Sequence, residues 1–111
     1  MRHHLATRIE DWVRAHHREP VDVNDMATAA GVGLQQLRVI CRDEWGLTPL
    51  QYLRGVRLDS ARELLRAAEE RPGVIAAVAV EVGYRHLGRF AGDYRKRFGE
   101  YPRQTLARPP S

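Results

Sequence analysis

Cysteine occurs once in the chain, at Cys41, so no internal disulfide can form. A single thiol fits a reducing compartment. No apolar run approaches the roughly 18 residues needed to cross a bilayer, and no apolar signal core follows Met1-Arg2-His3-His4-Leu5. These absences predict a cytoplasmic protein with no membrane partner. There is no glycine-rich phosphate loop, no paired-cysteine motif and no His-Glu-x-x-His. The common signatures of nucleotide-dependent and metal-dependent enzymes are therefore missing, and neither an enzyme nor a cofactor is expected. The pairs His3-His4 and His16-His17 fall at opposite ends of one helical stretch, so they do not predict a metal site.

What is present suits a small packed fold. With 111 residues and 43% hydrophobic content, the chain can build one modest core, or two very small ones sharing a connector. The net charge of +4 is unevenly placed. Through Val82 there are 11 arginines against 12 acidic residues, whereas from Gly83 onward 7 basic residues face 2 acidic ones. A basic C-terminal quarter points to an anionic partner, nucleic acid first. Seventeen of the 18 basic residues are arginine. The base composition of coding DNA can produce that bias, so charge alone supports nucleic acid only modestly.

The longest regular stretch runs from Thr48 to Ala67. Thr48 is a good N-cap, and Pro49 stands at the first helical position, where its missing N–H costs nothing. Leu50, Leu53, Leu58, Ala61, Leu64 and Leu65 predict one apolar stripe, with Arg54, Arg57, Arg62 and Arg66 off it. Gly55 is a weak point, costing roughly 1 kcal/mol against alanine. About 20 residues make a rod of about 30 Å, close to one DNA turn of about 34 Å.

Before this rod, the spacing predicts three helices. The first runs from His3 to about His17, with Leu5, Ile9, Trp12, Val13 and His16 on its apolar face. The second is capped by Asp22, buries Val23, Met26, Ala27 and Ala30, and ends at Gly31. The third spans Leu34 to about Trp45, with Leu37, Cys41 and Trp45 facing inward. A small residue at the crossing (Ala27), a turn glycine (Gly31) and an inward hydrophobic (Leu37) are what a helix-turn-helix needs. The same grammar returns. Ala27, Gly31 and Val32 recur 52 residues later as Ala79, Gly83 and Tyr84. Leu37, Cys41, Trp45, Gly46 and Pro49 recur 53 residues later as Phe90, Tyr94, Phe98, Gly99 and Pro102. Val74 to Val82 and Leu87 to Phe98 are then the helices of the second copy.

The expected fold is all-α: two homeodomain-like helix-turn-helix subdomains joined by a long linker helix. The boundaries are 1–48 for the first subdomain, 49–68 for the linker helix, 69–106 for the second subdomain and 107–111 for a tail. Two equivalent helices on such a frame could enter successive major-groove segments of one duplex.

Four motifs, in order, resemble the DNA-binding domain of the AraC family of bacterial transcription regulators. They are Gly46-x-Thr48-Pro49-x-x-Tyr52, Arg57-Leu58-x-x-Ala61-Arg62-x-Leu64-Leu65, Ala79-x-x-x-Gly83-Tyr84 and Phe90-x-x-x-Tyr94-Arg95-x-x-Phe98-Gly99-x-x-Pro102. The resemblance covers roughly residues 21–103 and implies promoter DNA as partner, with control of transcription that is usually activation. RNA polymerase subunits, an example of the acidic protein that a basic helical face could meet, are a further candidate partner outside what the resemblance implies. Family members usually carry another domain for effector sensing or dimerisation, and no segment here is long enough to be one.

Carried over by position, the first reading helix presents Gln35, Arg38 and Val39 to base edges, with Gln36 and Arg42 at the backbone. Gln pairs with adenine and Arg with guanine O6 and N7. The sequence departs from the family pattern at Gly33, where a capping serine is common. It departs again at Val39, commonly arginine, and at Cys41, commonly phenylalanine, which makes Cys41 a small core residue here. In the second reading helix the equivalents of Gln35, Arg38 and Val39 are Gly88, Ala91 and Gly92, and none can donate a side-chain hydrogen bond. The resemblance then leaves Arg85, His86, Arg89, Arg95 and Lys96 for phosphates, with Arg85 and Arg89 near enough to the helix start to reach a base. The rival reading is a helical interaction module whose basic face meets acidic protein and has only non-specific affinity for DNA.

Overall fold

The computed structural model describes residues 2–108, with the side chain of Arg2 left aside. Its seven helices are α1 (Arg2–His16), α2 (Val23–Ala30), α3 (Leu34–Trp45), α4 (Pro49–Ala67), α5 (Val74–Glu81), α6 (Leu87–Phe98) and α7 (Pro102–Ala107), with no strand among the described residues. The chain divides into two compact units, Met1–Val56 and Arg57–Ser111, so α4 gives its first turns to one and the rest to the other.

In the first unit α1 packs on α2 and α3. Ile9, Val13, Met26, Leu37, Ile40, Cys41 and Leu53 are at most 2% exposed and form its core. Asp22 opens α2 with a capping box: the Asp25 N–H donates to Asp22 Oδ1 at 3.0 Å, and the Asp22 N–H donates to Asp25 Oδ2 at 2.8 Å. Two first-turn donors are thereby satisfied. Gly31, at φ 71°, turns the chain so that the Val32 N–H reaches Ala27 O at 3.0 Å. A side chain at that φ would be strained, which is why the turn needs glycine. Trp45 stacks on Tyr52 with ring centroids 4.0 Å apart, tying the end of α3 to the start of α4.

The second unit repeats the scheme with a different core. Val78, Val82, Tyr84, Phe90 and Tyr94 are buried together with Leu58, Ala61 and Leu65 of α4 and Leu106 of α7. Gly83, at φ 95°, makes the corresponding turn, and the Tyr84 N–H reaches Ala79 O at 2.9 Å. The hydrogen bond of the first turn therefore recurs across the repeat.

Three expectations need correction. The apolar residues of α4 do not form one stripe: Leu53 belongs to the first core, Leu58, Ala61 and Leu65 to the second, and Leu50 is 41% exposed. The five-residue step from Leu53 to Leu58 is where the stripe breaks. Arg57, expected off the stripe, is buried, as its long aliphatic stem permits. The segment 107–111 is not all tail, since Ala107 ends α7 and the Arg108 guanidinium pairs with Glu100 Oε1 at 2.6 Å; residues 109–111 lie outside the described residues.

Candidate nucleic-acid interface

Each unit presents one helix immediately after its glycine turn, and these are the two candidate reading helices. In the first unit α3 is pinned from beneath by Leu37, Ile40 and Cys41, all at most 1% exposed. Burial pushes the Cys41 thiol up to about 11. A thiol that stays protonated and enclosed is packing material, not a nucleophile. With that face committed, Gln35, Gln36, Arg38 and Arg42 are exposed, and Val39 is half-buried at the edge of the same outward face. Arg42 Nε lies 3.7 Å from Asp43 Oδ1, a loose exposed pair that costs little to break. Gly33 stands at the N-cap of α3 and supplies no side-chain cap, so Gln35 projects beside an uncovered helix start.

In the second unit α6 is fixed more heavily. Phe90 and Tyr94 are fully buried. Arg97 Nε and its terminal amine donate to the two carboxylate oxygens of Asp59, both at 2.9 Å, a bidentate pair. The Tyr84 hydroxyl donates to Asp93 Oδ2 at 2.9 Å, and Tyr94 and Thr105 share a hydrogen bond of 2.7 Å. Arg62 lies over the Phe98 ring, 4.7 Å from its centroid. Arg62 and the exposed Arg97 are thus engaged by partners within the unit, and Arg85, His86, Arg89, Arg95 and Lys96 are exposed as well.

The outward face of α6 carries Gly88 and Gly92, both exposed, with Ala91 half-buried between them. A Cβ added to either glycine would meet nothing within 4 Å, and neither has a positive φ. The fold therefore has no need of glycine at these positions, yet each weakens the helix by roughly 1 kcal/mol against alanine. Beside Arg95 stand two side chains that sequence reasoning did not single out, Tyr101 and Arg103. The Tyr101 ring has the Arg95 guanidinium 4.9 Å and the Arg103 guanidinium 5.0 Å from its centroid. The signal was available: Tyr101 occupies the place that Thr48 holds in the first copy.

Among the described residues no three His, Cys, Asp or Glu side chains gather in a group able to hold a metal, and no helix is long and apolar enough to cross a membrane.

Residues 26–108 match the family model described as a helix-turn-helix domain. The probable thc operon regulatory protein of Rhodococcus erythropolis is 37% identical over 101 residues, which covers 90% of this chain and 30% of that protein. The chain spans less than two thirds of the length of the curated relatives it matches, 64% for the XylDLEGF operon transcriptional activator 2 of Pseudomonas putida, which is 30% identical over 90% of this chain. Among solved structures, a probable AraC family transcriptional regulator from Rhodopseudomonas palustris superimposes with a TM-score of 0.81 at 30% identity, covering 96% of this chain and 99% of that one.

Proposed function

The chain belongs to the AraC family of helix-turn-helix transcription regulators, and from that premise we propose that its two units divide the work of binding one promoter site. It is a DNA-binding domain and not an enzyme, as its relatives are regulators. In the proposed division the first unit reads sequence. Gln35 pairs with adenine, Arg38 with guanine O6 and N7, and Val39 touches a thymine methyl, while Gln36 and Arg42 meet phosphates. The second unit mainly grips the backbone through His86, Arg95 and Lys96. Arg85, just before α6, and Arg89, in its first turn, flank the helix start and are the two that also reach a base edge. Such backbone contacts set register and orientation but carry no direct sequence information.

The observation that carries this reading is the contrast between two equivalent outward faces. One bears Gln35, Arg38 and Val39, and the other bears Gly88, Ala91 and Gly92. A side-chain-free strip that the fold does not require lets a helix lie close against a duplex. On this account the chain acts in the cytoplasm as part of an activator. A second partner, an RNA polymerase subunit, is favoured by the outward face of α5, where Ala76, Ala77 and Val80 are exposed and Val80 is 70% accessible.

The test compares two substitutions on a selected duplex and its single-base variants. Arg38→Ala is expected to abolish discrimination at one base pair, a loss of about 1–3 kcal/mol, whereas Lys96→Ala weakens every sequence alike and lowers the salt slope by about one. Uniform weakening by both would sink the division of labour.

A further inference from the structure

We infer that Arg95 and Arg103, held on the shared ring of Tyr101, form the principal phosphate anchor of the second unit, with Tyr101 as its positioning residue. The inference deepens the DNA reading above and rests on it. Its starting point is a break in the repeat. In the first unit Thr48 caps α4: the Gln51 N–H donates to Thr48 Oγ1 at 3.1 Å, and the Thr48 N–H donates to Gln51 Oε1 at 2.9 Å. In the second unit the glutamine persists, and the Tyr101 N–H donates to Gln104 Oε1 at 2.7 Å. The capping hydroxyl is gone, because a phenol oxygen at the end of a rigid ring cannot fold back onto its own helix start. The Gln104 N–H instead meets the Tyr101 main-chain carbonyl at 2.9 Å, and the position has acquired an aromatic face.

That face is used by two arginines from different helices. Arg95 lies in the last turn of α6 and Arg103 in the first turn of α7. Their guanidinium carbons stand 4.9 and 5.0 Å from the ring centroid, inside the range of a cation–π contact. The two guanidinium groups are therefore at most about 10 Å apart, the sum of those two separations. Both are exposed, and among the described residues no carboxylate pairs with either. Arg97, two residues further along α6, is by contrast spent on Asp59. Arg95 also continues the strip of Gly88 and Gly92 at i, i+4 and i+7, so the anchor ends the face that lies against the duplex. The ring removes rotamer freedom from two long side chains beforehand, and a preorganised pair of guanidinium groups loses less on binding phosphate.

The whole chain is titrated with a labelled duplex by fluorescence anisotropy at several salt concentrations, and each variant is also melted. Arg103→Ala is expected to lower the slope of log affinity against log salt by about 0.9 and to weaken specific and random duplexes by the same factor. Tyr101→Thr, which installs the residue of the first copy, is expected to weaken binding roughly two- to fivefold, the worth of an exposed cation–π contact, while the melting temperature holds or rises. Tyr101→Phe is expected to bind as the unsubstituted chain does. An unchanged slope in Arg103→Ala would overturn the anchor, and full affinity in Tyr101→Thr would overturn the role of the ring. An unsubstituted chain that binds no duplex would overturn the DNA reading itself, an outcome visible before any variant is made.

Discussion

The two units use one plan for their interiors and two plans for their surfaces. Both have a buried core under the second helix, a glycine in the left-handed region at the turn, and the same turn hydrogen bond, from Val32 to Ala27 in one and from Tyr84 to Ala79 in the other. Outside, α3 shows Gln35 and Arg38, while α6 shows Gly88 and Gly92 flanked by cations. Interior positions are constrained by packing and by backbone conformation, so duplication preserves their type. Outward positions are constrained only by what they meet. The divergence therefore reports on partners, and in the proposed division it separates a helix that reads bases from one that mainly grips the backbone.

The comparison can be broken most forcefully through the cores. Phe90 is fully buried, and Phe90→Ala is expected to cost about 3–5 kcal/mol. That is a large share of the roughly 3–8 kcal/mol expected of a unit of about 55 residues, so calorimetry should show the second unit melting well before the first. If the first unit reads sequence by itself, the variant loses affinity but keeps its order of preference among duplexes. Loss of that preference would mean that reading needs both units.

The glycine strip gives a smaller and more pointed effect. With open space above both positions, Gly88→Ala and Gly92→Ala should each stabilise the chain by up to about 1 kcal/mol. If α6 lies close to the duplex, the same changes weaken DNA binding. Binding that improves along with stability would remove the strip from the interface.

Alkaline pH separates the units more gently. Burial raises Cys41 from 9.0 to about 11 and Tyr52 from 10.0 to about 12 in the first unit; in the second, burial raises Tyr94 as well. For each group the unfolded chain loses its proton first, so the unfolded state binds fewer protons and stability falls as pH rises. The stability is complete below the unfolded value and is lost towards the folded one. The first unit, which holds the thiol, should begin to weaken near pH 9, and the second, among its described residues, near pH 10. Melting curves from pH 8 to 11 check this, and Cys41→Ala should delay the onset in the first unit.

Much of this fold was legible from spacing, because helix ends are written in single residues. Asp22, Gly31, Gly46 and Pro49 marked boundaries that the structure reproduces within a residue. Helix α7 does not stand out in the sequence as a separate element, although Pro102 repeats Pro49 and Gln104 repeats Gln51; at six residues it is too short to show a period. Leu50 misleads because a leucine in a first helical turn fits an apolar pattern whether or not a core lies beneath it. The exposure of Gln35, Arg38, Arg89 and Lys96 followed from the inward commitment of Leu37 and Phe90. The grouping of Arg95, Tyr101 and Arg103 did not, since it joins the ends of two helices across a turn and leaves no periodic trace.

The unequal division of reading is tested most directly by incubating the chain with random-sequence duplexes at two salt concentrations and sequencing the bound fraction. The account predicts an enriched site with one sharply defined half and one degenerate half, the sharp half persisting at the higher salt. Two equally sharp halves would contradict it, because Gly88, Ala91 and Gly92 would then be lying on a helix that reads sequence as well as α3 does.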